Sequence, residues 1–184
     1  MYSKILDLSD CAHLLDMGGG PGTYAIHFCL NNPELKATVF DLPTSRKFAE
    51  KTIASFDLSE ICRFKEGSYL EEHTGLDQEY DVIWFSHILH GEGPEDAESI
   101  VAKAVNVLKP GGKILIHEFI LDNTMDGPLF PALFALNMLV GTDSGQAYSE
   151  AQLREMLGKC GISNIERLDV SSPNDAGIMI GVKP

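Results

Sequence analysis

A glycine-rich segment near the N-terminus, DMGGGPGTYAIHF, carries an acidic residue followed by glycines at alternate positions. Asp16 precedes Gly18, Gly20 and Gly22, and the segment lies between an apolar run and a stretch of helical period. Glycines allow a ligand to approach the backbone closely. A turn of this kind, after the first strand of a doubly wound sheet, is a frequent nucleotide site. The segment therefore predicts a nucleoside-binding loop, with a purely structural tight turn as the alternative.

The same segment differs from the dinucleotide-binding fingerprint GxGxxG, because Thr23 stands in place of the third glycine. The carboxylate of Asp16 would also disfavour a pyrophosphate nearby. The second apolar run ends at Asp41, where an acid can accept hydrogen bonds from both ribose hydroxyls. Capping the helix after Pro43 is its alternative role. An adenosine with an amine and a positive charge, but without phosphates, fits these residues, and S-adenosylmethionine is such a ligand.

Two histidines follow the fourth predicted strand, DVIWFS. His87 and His90 should reach the edge of the sheet that carries the glycine loop, since the carboxyl ends of parallel strands share that edge. Methyl transfer from a sulfonium requires that the nucleophile be aligned and its proton removed. Imidazole, with a reference pKa of ~6.5, accepts protons near neutral pH. The alternative is that both histidines are polar residues that simply close the strand.

The elements that must position these residues follow from the hydrophobic pattern. Seven short runs rich in β-branched and aromatic residues alternate with segments of helical period, which predicts an α/β fold. The runs are centred on Leu14 and Leu15, Val39, Phe64, Ile83, Leu115, Leu168 and Met179. Helices are predicted from Pro94 to Leu108 and from Ser149 to Cys160, the second beginning with a Ser149–Gln152 capping box.

The last two runs are joined only by SSPNDAG, which is too short for a crossover helix and predicts an antiparallel hairpin. We therefore predict a Rossmann-like, doubly wound sheet of seven strands, mostly parallel with an antiparallel C-terminal hairpin. One domain over residues 1–184 accounts for the whole pattern, since the length suits a single domain.

Composition narrows the classes of partner and compartment. A net charge of −13 disfavours nucleic acid and suits a cationic ligand, although solubility alone also explains it. The longest apolar stretch, from Leu129, contains Pro131 and Asn137 and is shorter than the ~20 residues of a membrane span. No apolar signal segment precedes Asp7, and the four cysteines are too widely spaced for a zinc knuckle or redox pair. We predict a cytoplasmic protein with reduced cysteines and no metal site.

Taken together, these stretches resemble class I S-adenosylmethionine-dependent methyltransferases. More narrowly, they resemble the catalytic domain of O-methyltransferase family 2, which includes hydroxyindole, caffeate and bacterial polyketide enzymes. The matching stretches are LLDMGGGPGTYAIHF, ATVFDLP, ILH at 88–90, LKPGGKILIHEF, NMLVGT and GQAYSEAQLREMLGKCGI. The glycine loop fits all of class I, whereas FDLP, ILH and the late GxxYS segment point to this family.

The resemblance implies O-methylation of a small aromatic or apolar hydroxyl acceptor, with His90 as the general base and S-adenosylmethionine as the methyl donor. It also implies further contacts. Those to the donor would come from Leu42, Ser68, Tyr69 and Ser86, in addition to Asp16, Asp41 and the loop glycines. Those to the acceptor would come from His87, Phe134, Asn137 and Met138, within a segment that aligns with the family's acceptor-lining helix. Core packing is the alternative for that segment.

Two residues depart from the family's pattern. Gly91 follows His90 where an Asp is common, and Ala147 occupies the position of a late Glu, so the usual carboxylates that orient the base are missing. Glu118, at the end of the fifth strand, and Glu92 are the candidate substitutes, while Glu118 could equally cap a helix or form an ion pair. A non-catalytic S-adenosylmethionine-binding or interaction module is therefore the alternative function. Aminopropyl transfer and nicotinamide oxidoreduction fit less well.

The family's members also carry an N-terminal winged-helix domain that intertwines two subunits and forms a wall of the acceptor pocket. This chain begins directly before the catalytic domain. The resemblance therefore implies either a fragment of a longer, homodimeric protein or a protein that works without that domain.

Overall fold

In a computed structural model, which describes residues 6–170 and 172–184, seven strands form one sheet. Residues 1–5, which belong to the stretch where we predicted no secretory signal, and Ser171 lie outside the described residues. The strands are β1 (His13–Met17), β2 (Lys36–Asp41), β3 (Cys62–Glu66), β4 (Tyr80–Ser86), β5 (Leu108–Phe119), β6 (Ser163–Arg167) and β7 (Ala176–Val182). Their spatial order is β3-β2-β1-β4-β5-β7-β6.

The first five strands are parallel, and β7 is antiparallel to both β5 and β6. This confirms the predicted Rossmann-like sheet with an antiparallel C-terminal hairpin. One boundary differs: β6 ends at Arg167, so Leu168 lies just beyond it. The Leu168 N–H still donates to the Ile178 carbonyl at 2.9 Å, which continues the register of the Arg167–Met179 pair one residue past the strand.

Five helices accompany the sheet: α1 (Thr23–Asn31), α2 (Arg46–Ser55), α3 (Pro94–Asn106), α4 (Leu129–Gly141) and α5 (Glu150–Lys159). Buried side chains of α1 and α2 pack with Val39 and Trp84 on one face of the sheet. Those of α3 and α5 pack with Phe85 and Ile116 on the other face. Both faces are thus covered, which explains why the central strands read as nearly continuous apolar runs.

The predicted helix starts and ends are mostly confirmed. In α5, the Ser149 hydroxyl accepts from the Gln152 N–H, and the Gln152 side chain accepts from the Ser149 N–H at 2.8 Å, which forms the capping box. Helix α3 begins at Pro94 as predicted but ends at Asn106, because Leu108 already belongs to β5. Strand β5 therefore starts before Pro110, earlier than the run centred on Leu115 suggested.

Strands β1 and β4 are neighbours at the centre of the sheet, while the chain proceeds from β1 outward to β2 and β3 before returning to β4. The connections that leave their carboxyl ends therefore diverge, and a crevice forms between them. The glycine loop follows β1, and the segment that contains both candidate histidines follows β4.

Among the described residues, no helix combines the length and the apolar character needed to cross a membrane. Helix α4 is the nearest to it in composition, yet it has only 13 residues.

Candidate active site

The glycine loop after β1 is tightly constrained on one side and open on the other. Gly18 has φ +70°, and a Cβ there would collide with the Cδ1 atom of Ile88. Gly20 has φ +53°, and a Cβ there would meet nothing within 4 Å. Gly18 therefore permits contact with the segment after β4, and Gly20 leaves backbone facing open space that a ligand can approach.

Asp41, at the end of β2, holds the loop in place. One carboxylate oxygen accepts from the Gly20 N–H at 2.8 Å, and the other accepts from the Leu42 N–H at 2.7 Å and the Ser45 hydroxyl at 2.8 Å. These bonds satisfy the turn after β2, whereas no side chain caps either helix after Pro43, so the alternative of helix capping is not observed. A carboxylate has about four acceptor sites, so capacity for a ligand hydroxyl remains. Leu42 beside it is 49% exposed and offers an apolar surface.

Asp16 lies beneath the loop rather than at the surface of the crevice. It is buried, and its carboxylate accepts from the Ala25 N–H of α1 at 3.2 Å. Burial raises the pKa of Asp16 to about 7, and the negative charge of Asp41 adds to this shift. Asp16 therefore supports the glycine loop and the start of α1 from below, and its predicted contact with a nucleoside ligand stays a prediction.

Residues 68 and 69 approach the crevice from the loop after β3. The Tyr69 ring would lie 3.6 Å from a Cβ at Gly18, so it forms part of the wall beside the glycine loop. The Ser68 hydroxyl accepts from the Leu70 N–H at 3.2 Å. Tyr69 is thus brought to the glycine loop, whereas the hydroxyl of Ser68 is engaged in its own turn.

His90 and Glu118 form the central pair of the site. His90 lies in a 3₁₀ turn, Leu89–Gly91, and its Nδ1 is 2.7 Å from Oε2 of Glu118 at the end of β5. The other oxygen, Oε1, accepts from the Leu89 N–H at 3.0 Å. Burial alone would raise the pKa of Glu118, but the adjacent imidazoles of His87 and His90 outweigh it and lower the pKa to about 2. Glu118 is therefore a carboxylate, which accepts and cannot donate.

The tautomer of His90 follows from this. Because Glu118 only accepts, Nδ1 of His90 must carry the hydrogen of the 2.7 Å contact. Its Nε2 then has a lone pair available for a proton. The His90 side chain is only 15% exposed, so the ring is held within the site and not free in solvent.

His87 adopts φ +57°, a left-handed conformation that is uncommon for residues other than glycine. This backbone geometry brings its Nδ1 to 3.6 Å from Oε2 of Glu118, beyond hydrogen-bond distance. Its ring also lies 4.4 Å from that of Phe119 and 5.8 Å from that of His90, measured between centroids. The structure therefore brings together both predicted histidines and Glu118.

Aromatic side chains line one side of this pair. Phe134 of α4 lies edge-on to His90 with ring centroids 4.7 Å apart, and Phe119 lies 4.6 Å from Phe134. Met138 is half-buried on the same helix, whereas Asn137 is exposed. Phe119 was missed in the sequence analysis, although it directly follows Glu118 in KILIHEF and thus ends the same strand.

Ser86 faces His117 on β5, with 2.9 Å between the hydroxyl and Nδ1. His117 is buried and stacks on Trp84 with ring centroids 5.7 Å apart. Burial, with a smaller effect of nearby His87, lowers the pKa of His117 to about 4. Sequence reasoning missed His117, because within a strand it has no neighbouring residue that signals its environment.

This shift predicts acid sensitivity. The pKa of His117 lies below the unfolded value of ~6.5, so the unfolded chain binds protons more strongly and stability falls as pH falls through that interval. On going from pH 7 to pH 5, the unfolding free energy of the native protein should fall by about 2 kcal/mol more than that of the His117→Gln variant. Urea titrations at the two pH values measure this. His73→Gln, which alters an exposed histidine, is the control, and an equal loss in the His117 variant would contradict the prediction.

Gly91 and Ala147 are the two positions that lack the acids expected from the family's pattern. A side chain at Gly91 would meet open space, and Ala147 is buried. Of the two substitutes, Glu118 contacts His90, whereas Glu92 lies between the Leu89–Gly91 turn and α3, with its carbonyl accepting from the Tyr148 hydroxyl at 2.6 Å. Glu118 of the neighbouring strand β5 thus supplies the carboxylate that is missing from the sequence next to His90.

The sheet order, the glycine crevice and the histidine–glutamate pair together define a Rossmann-like domain of the methyltransferase type. A family model described as an O-methyltransferase domain matches residues 3–163. The chain belongs to this family.

The named relatives that the chain resembles are also methyltransferases. The chain is 32% identical over 178 residues to 3-hydroxy-5-methyl-1-naphthoate 3-O-methyltransferase of Streptomyces sahachiroi, covering 97% of this chain and 51% of that protein. It is 31% identical over 184 residues to L-tyrosine C(3)-methyltransferase of Streptomyces lavendulae, covering 98% and 50%. The crystal structure of human N-acetylserotonin methyltransferase in complex with SAM matches with a TM-score of 0.86 at 28% identity, covering 98% and 50%. The chain thus spans about half the length of these relatives.

Proposed function

We propose that the chain is the catalytic domain of an S-adenosylmethionine-dependent methyltransferase that methylates a hydroxyl of a small aromatic acceptor. His90 is the general base, and Glu118 positions it. The observation that carries this proposal is the 2.7 Å contact between His90 and Glu118, beside the aromatic rings of Phe119 and Phe134. Contact between Gly18 and Ile88 places the same segment next to the glycine loop.

The residues after β1 and β2 fit a sulfonium nucleoside. The open backbone at Gly20 admits a close-lying ligand, the carboxylate of Asp41 retains acceptor capacity for ribose hydroxyls, and Leu42 offers an apolar surface to a base. Tyr69 forms a wall beside Gly18. When bound, S-adenosylmethionine supplies an electrophilic methyl carbon on its sulfonium. The protein's charge of −13 favours such a cation.

His90 and Glu118 carry out the proton transfer. Nε2 of His90 accepts the proton of the acceptor hydroxyl, while Glu118 holds Nδ1–H and stabilises the imidazolium that forms. Phe119 and Phe134 present ring surfaces on which a flat acceptor can pack with its hydroxyl near His90. Holding the reactants in this alignment contributes to the rate in addition to the proton transfer.

The alternative of a non-catalytic binding module rested on the absence of acids at Gly91 and Ala147. Glu118 supplies the missing contact to His90. Together with the named methyltransferases among the relatives, this supports an enzyme.

A ring carbon is a second candidate for the atom that receives the methyl group, because one relative is named a C(3)-methyltransferase of L-tyrosine. Deprotonating a phenol places negative charge on the oxygen and on the adjacent ring carbons, so one base serves both outcomes. We favour oxygen on the family's description as an O-methyltransferase domain. Incubation with labelled donor and a set of phenols, hydroxyindoles and quinols, followed by NMR of the products, distinguishes a methyl ether from a ring methyl. Transfer to none of these acceptors would count against the proposal.

Asp41 gives the first test of the nucleoside site. Asp41→Ala should weaken binding of S-adenosylhomocysteine by about 10- to 150-fold, since charge-assisted hydrogen bonds contribute ~1.5–3 kcal/mol. Isothermal titration calorimetry measures the affinity. Ser45→Ala is the matched control, because it removes a bond to Asp41 within the chain but leaves the carboxylate in place. Equal affinity of the Asp41 variant and the native protein would remove Asp41 from the site.

We also propose that the working protein is a homodimer if it carries an N-terminal domain beyond this chain, and that the outer face of α4 is covered in that assembly. Leu129, Leu133, Leu136, Leu139 and Val140 on this face are between 56% and 87% exposed, and such apolar patches commonly mark interfaces. Light scattering of the full-length protein and of Leu133→Glu tests this, and a native monomer would contradict it.

A cytoplasmic location remains part of the proposal, supported by the four free thiols, three of them buried.

A further inference from the structure

His87, His90 and Glu118 bring three metal-ligating side chains to one point. One donor atom from each lies within 4.8 Å of the other two. Oε2 of Glu118 is 2.7 Å from Nδ1 of His90 and 3.6 Å from Nδ1 of His87. The sequence analysis predicted no metal site from the wide spacing of the cysteines. His90 and Glu118 are 28 residues apart, a separation that gives no recognisable ligand spacing.

The Nδ1 atom of His87 is the feature that the proposed methyl transfer does not use. It is buried and has no hydrogen-bond partner among the described residues. The residue also holds a left-handed φ of +57°, which few residues other than glycine adopt. A buried polar nitrogen without a partner is costly, and a bound cation would satisfy it.

The geometry is close to what a zinc ion requires. Zinc bonds of about 2.0–2.1 Å in a tetrahedral site place neighbouring ligand atoms about 3.3 Å apart. The two distances to Glu118 bracket this value, and the donor atoms of all three residues lie within 4.8 Å of one another. Side-chain shifts of up to about 1.5 Å would therefore bring the three donors to the tetrahedral spacing. Two imidazole nitrogens and a carboxylate oxygen are typical zinc ligands, and a water molecule would complete a four-coordinate site.

We propose that His87, His90 and Glu118 bind a divalent cation of the zinc class, and that this cation turns the general base off. The second part rests on the proposed function. A metal on Nδ1 of His90 displaces the hydrogen that Glu118 now holds, so the neutral ring must carry its hydrogen on Nε2. Nε2 then lacks the lone pair that would accept the proton of the acceptor.

Titration of the metal-free protein with zinc chloride in a calorimeter, at physiological salt, tests the site without reference to activity. We expect one zinc per chain, and intense visible absorption when Co²⁺ replaces it in a four-coordinate site. His87→Asn and Glu118→Gln should each lower the zinc affinity at least ~100-fold. Asparagine suits the left-handed backbone at position 87. His73→Gln, which removes an exposed histidine, should bind zinc like the native protein.

The outcomes separate the two claims. Absence of saturable binding, or binding retained in both ligand variants, would overturn the metal site, since the second result indicates surface carboxylates. If zinc binds but an active enzyme is not inhibited in proportion to occupancy and restored by a chelator, the link to the base is wrong. Zinc binding with intact S-adenosylhomocysteine affinity, in a protein that methylates no acceptor, would uphold the site while counting against the proposed function.

Discussion

Replacing His90 with alanine should lower kcat for methyl transfer by about 10²- to 10⁴-fold, the usual contribution of a positioned general base. The affinity for S-adenosylhomocysteine should stay within about threefold, because the nucleoside site is built from Gly18, Gly20 and Asp41 instead. Steady-state kinetics and calorimetry measure the two quantities. His73→Ala is the control for loss of an imidazole elsewhere on the protein.

The size of the loss should depend on the acceptor. A more acidic phenol releases its proton more readily, so the His90 variant should lose less activity with it than with a weakly acidic alcohol. A variant that retains full activity with every acceptor would show that alignment alone carries the reaction. A uniform loss across acceptors would instead indicate that His90 acts by packing.

Glu118→Gln should reduce kcat by a similar factor, about 10²- to 10⁴-fold, for a reason that the geometry makes specific. Oε1 accepts from the Leu89 N–H, so the amide oxygen of the new glutamine belongs there. Its NH₂ group then faces Nδ1 of His90, which must accept and leaves the ring hydrogen on Nε2. The base would hold the wrong tautomer in an almost unchanged structure.

The control for this variant is Glu92→Gln, which alters the other candidate carboxylate and should change kcat by less than about threefold. Nitrogen NMR of the labelled histidines reports the tautomer directly and would not respond to a merely structural role of Glu118. An unchanged His90 tautomer together with native kcat would rule out Glu118 as the positioning residue.

The sequence was sufficient for the features that depend on neighbours along the chain. Short apolar runs rich in β-branched and aromatic residues predicted the seven strands, and helical period with the Ser149–Gln152 capping box predicted α5, because these signals lie within one element. The short SSPNDAG link predicted the antiparallel pairing of β6 and β7, since no crossover fits in it. The candidate residues of the crevice, including Gly18 and Asp41, likewise came from local patterns.

Other features were settled by the tertiary structure. The choice of Glu118 over Glu92 depends on the parallel register of β4 and β5, which pairs Ser86 with His117 and so places Glu118 beside the turn that carries His90. The position of Asp16 beneath the loop depends on how α1 packs against β1. The amino acid sequence by itself therefore supplied the candidate residues for the chemistry, apart from Phe119 and His117, and only the packing of distant strands decided which of them touch. The physical reason is that a register or a helix position results from many weak contacts summed across the chain, which no local spacing encodes.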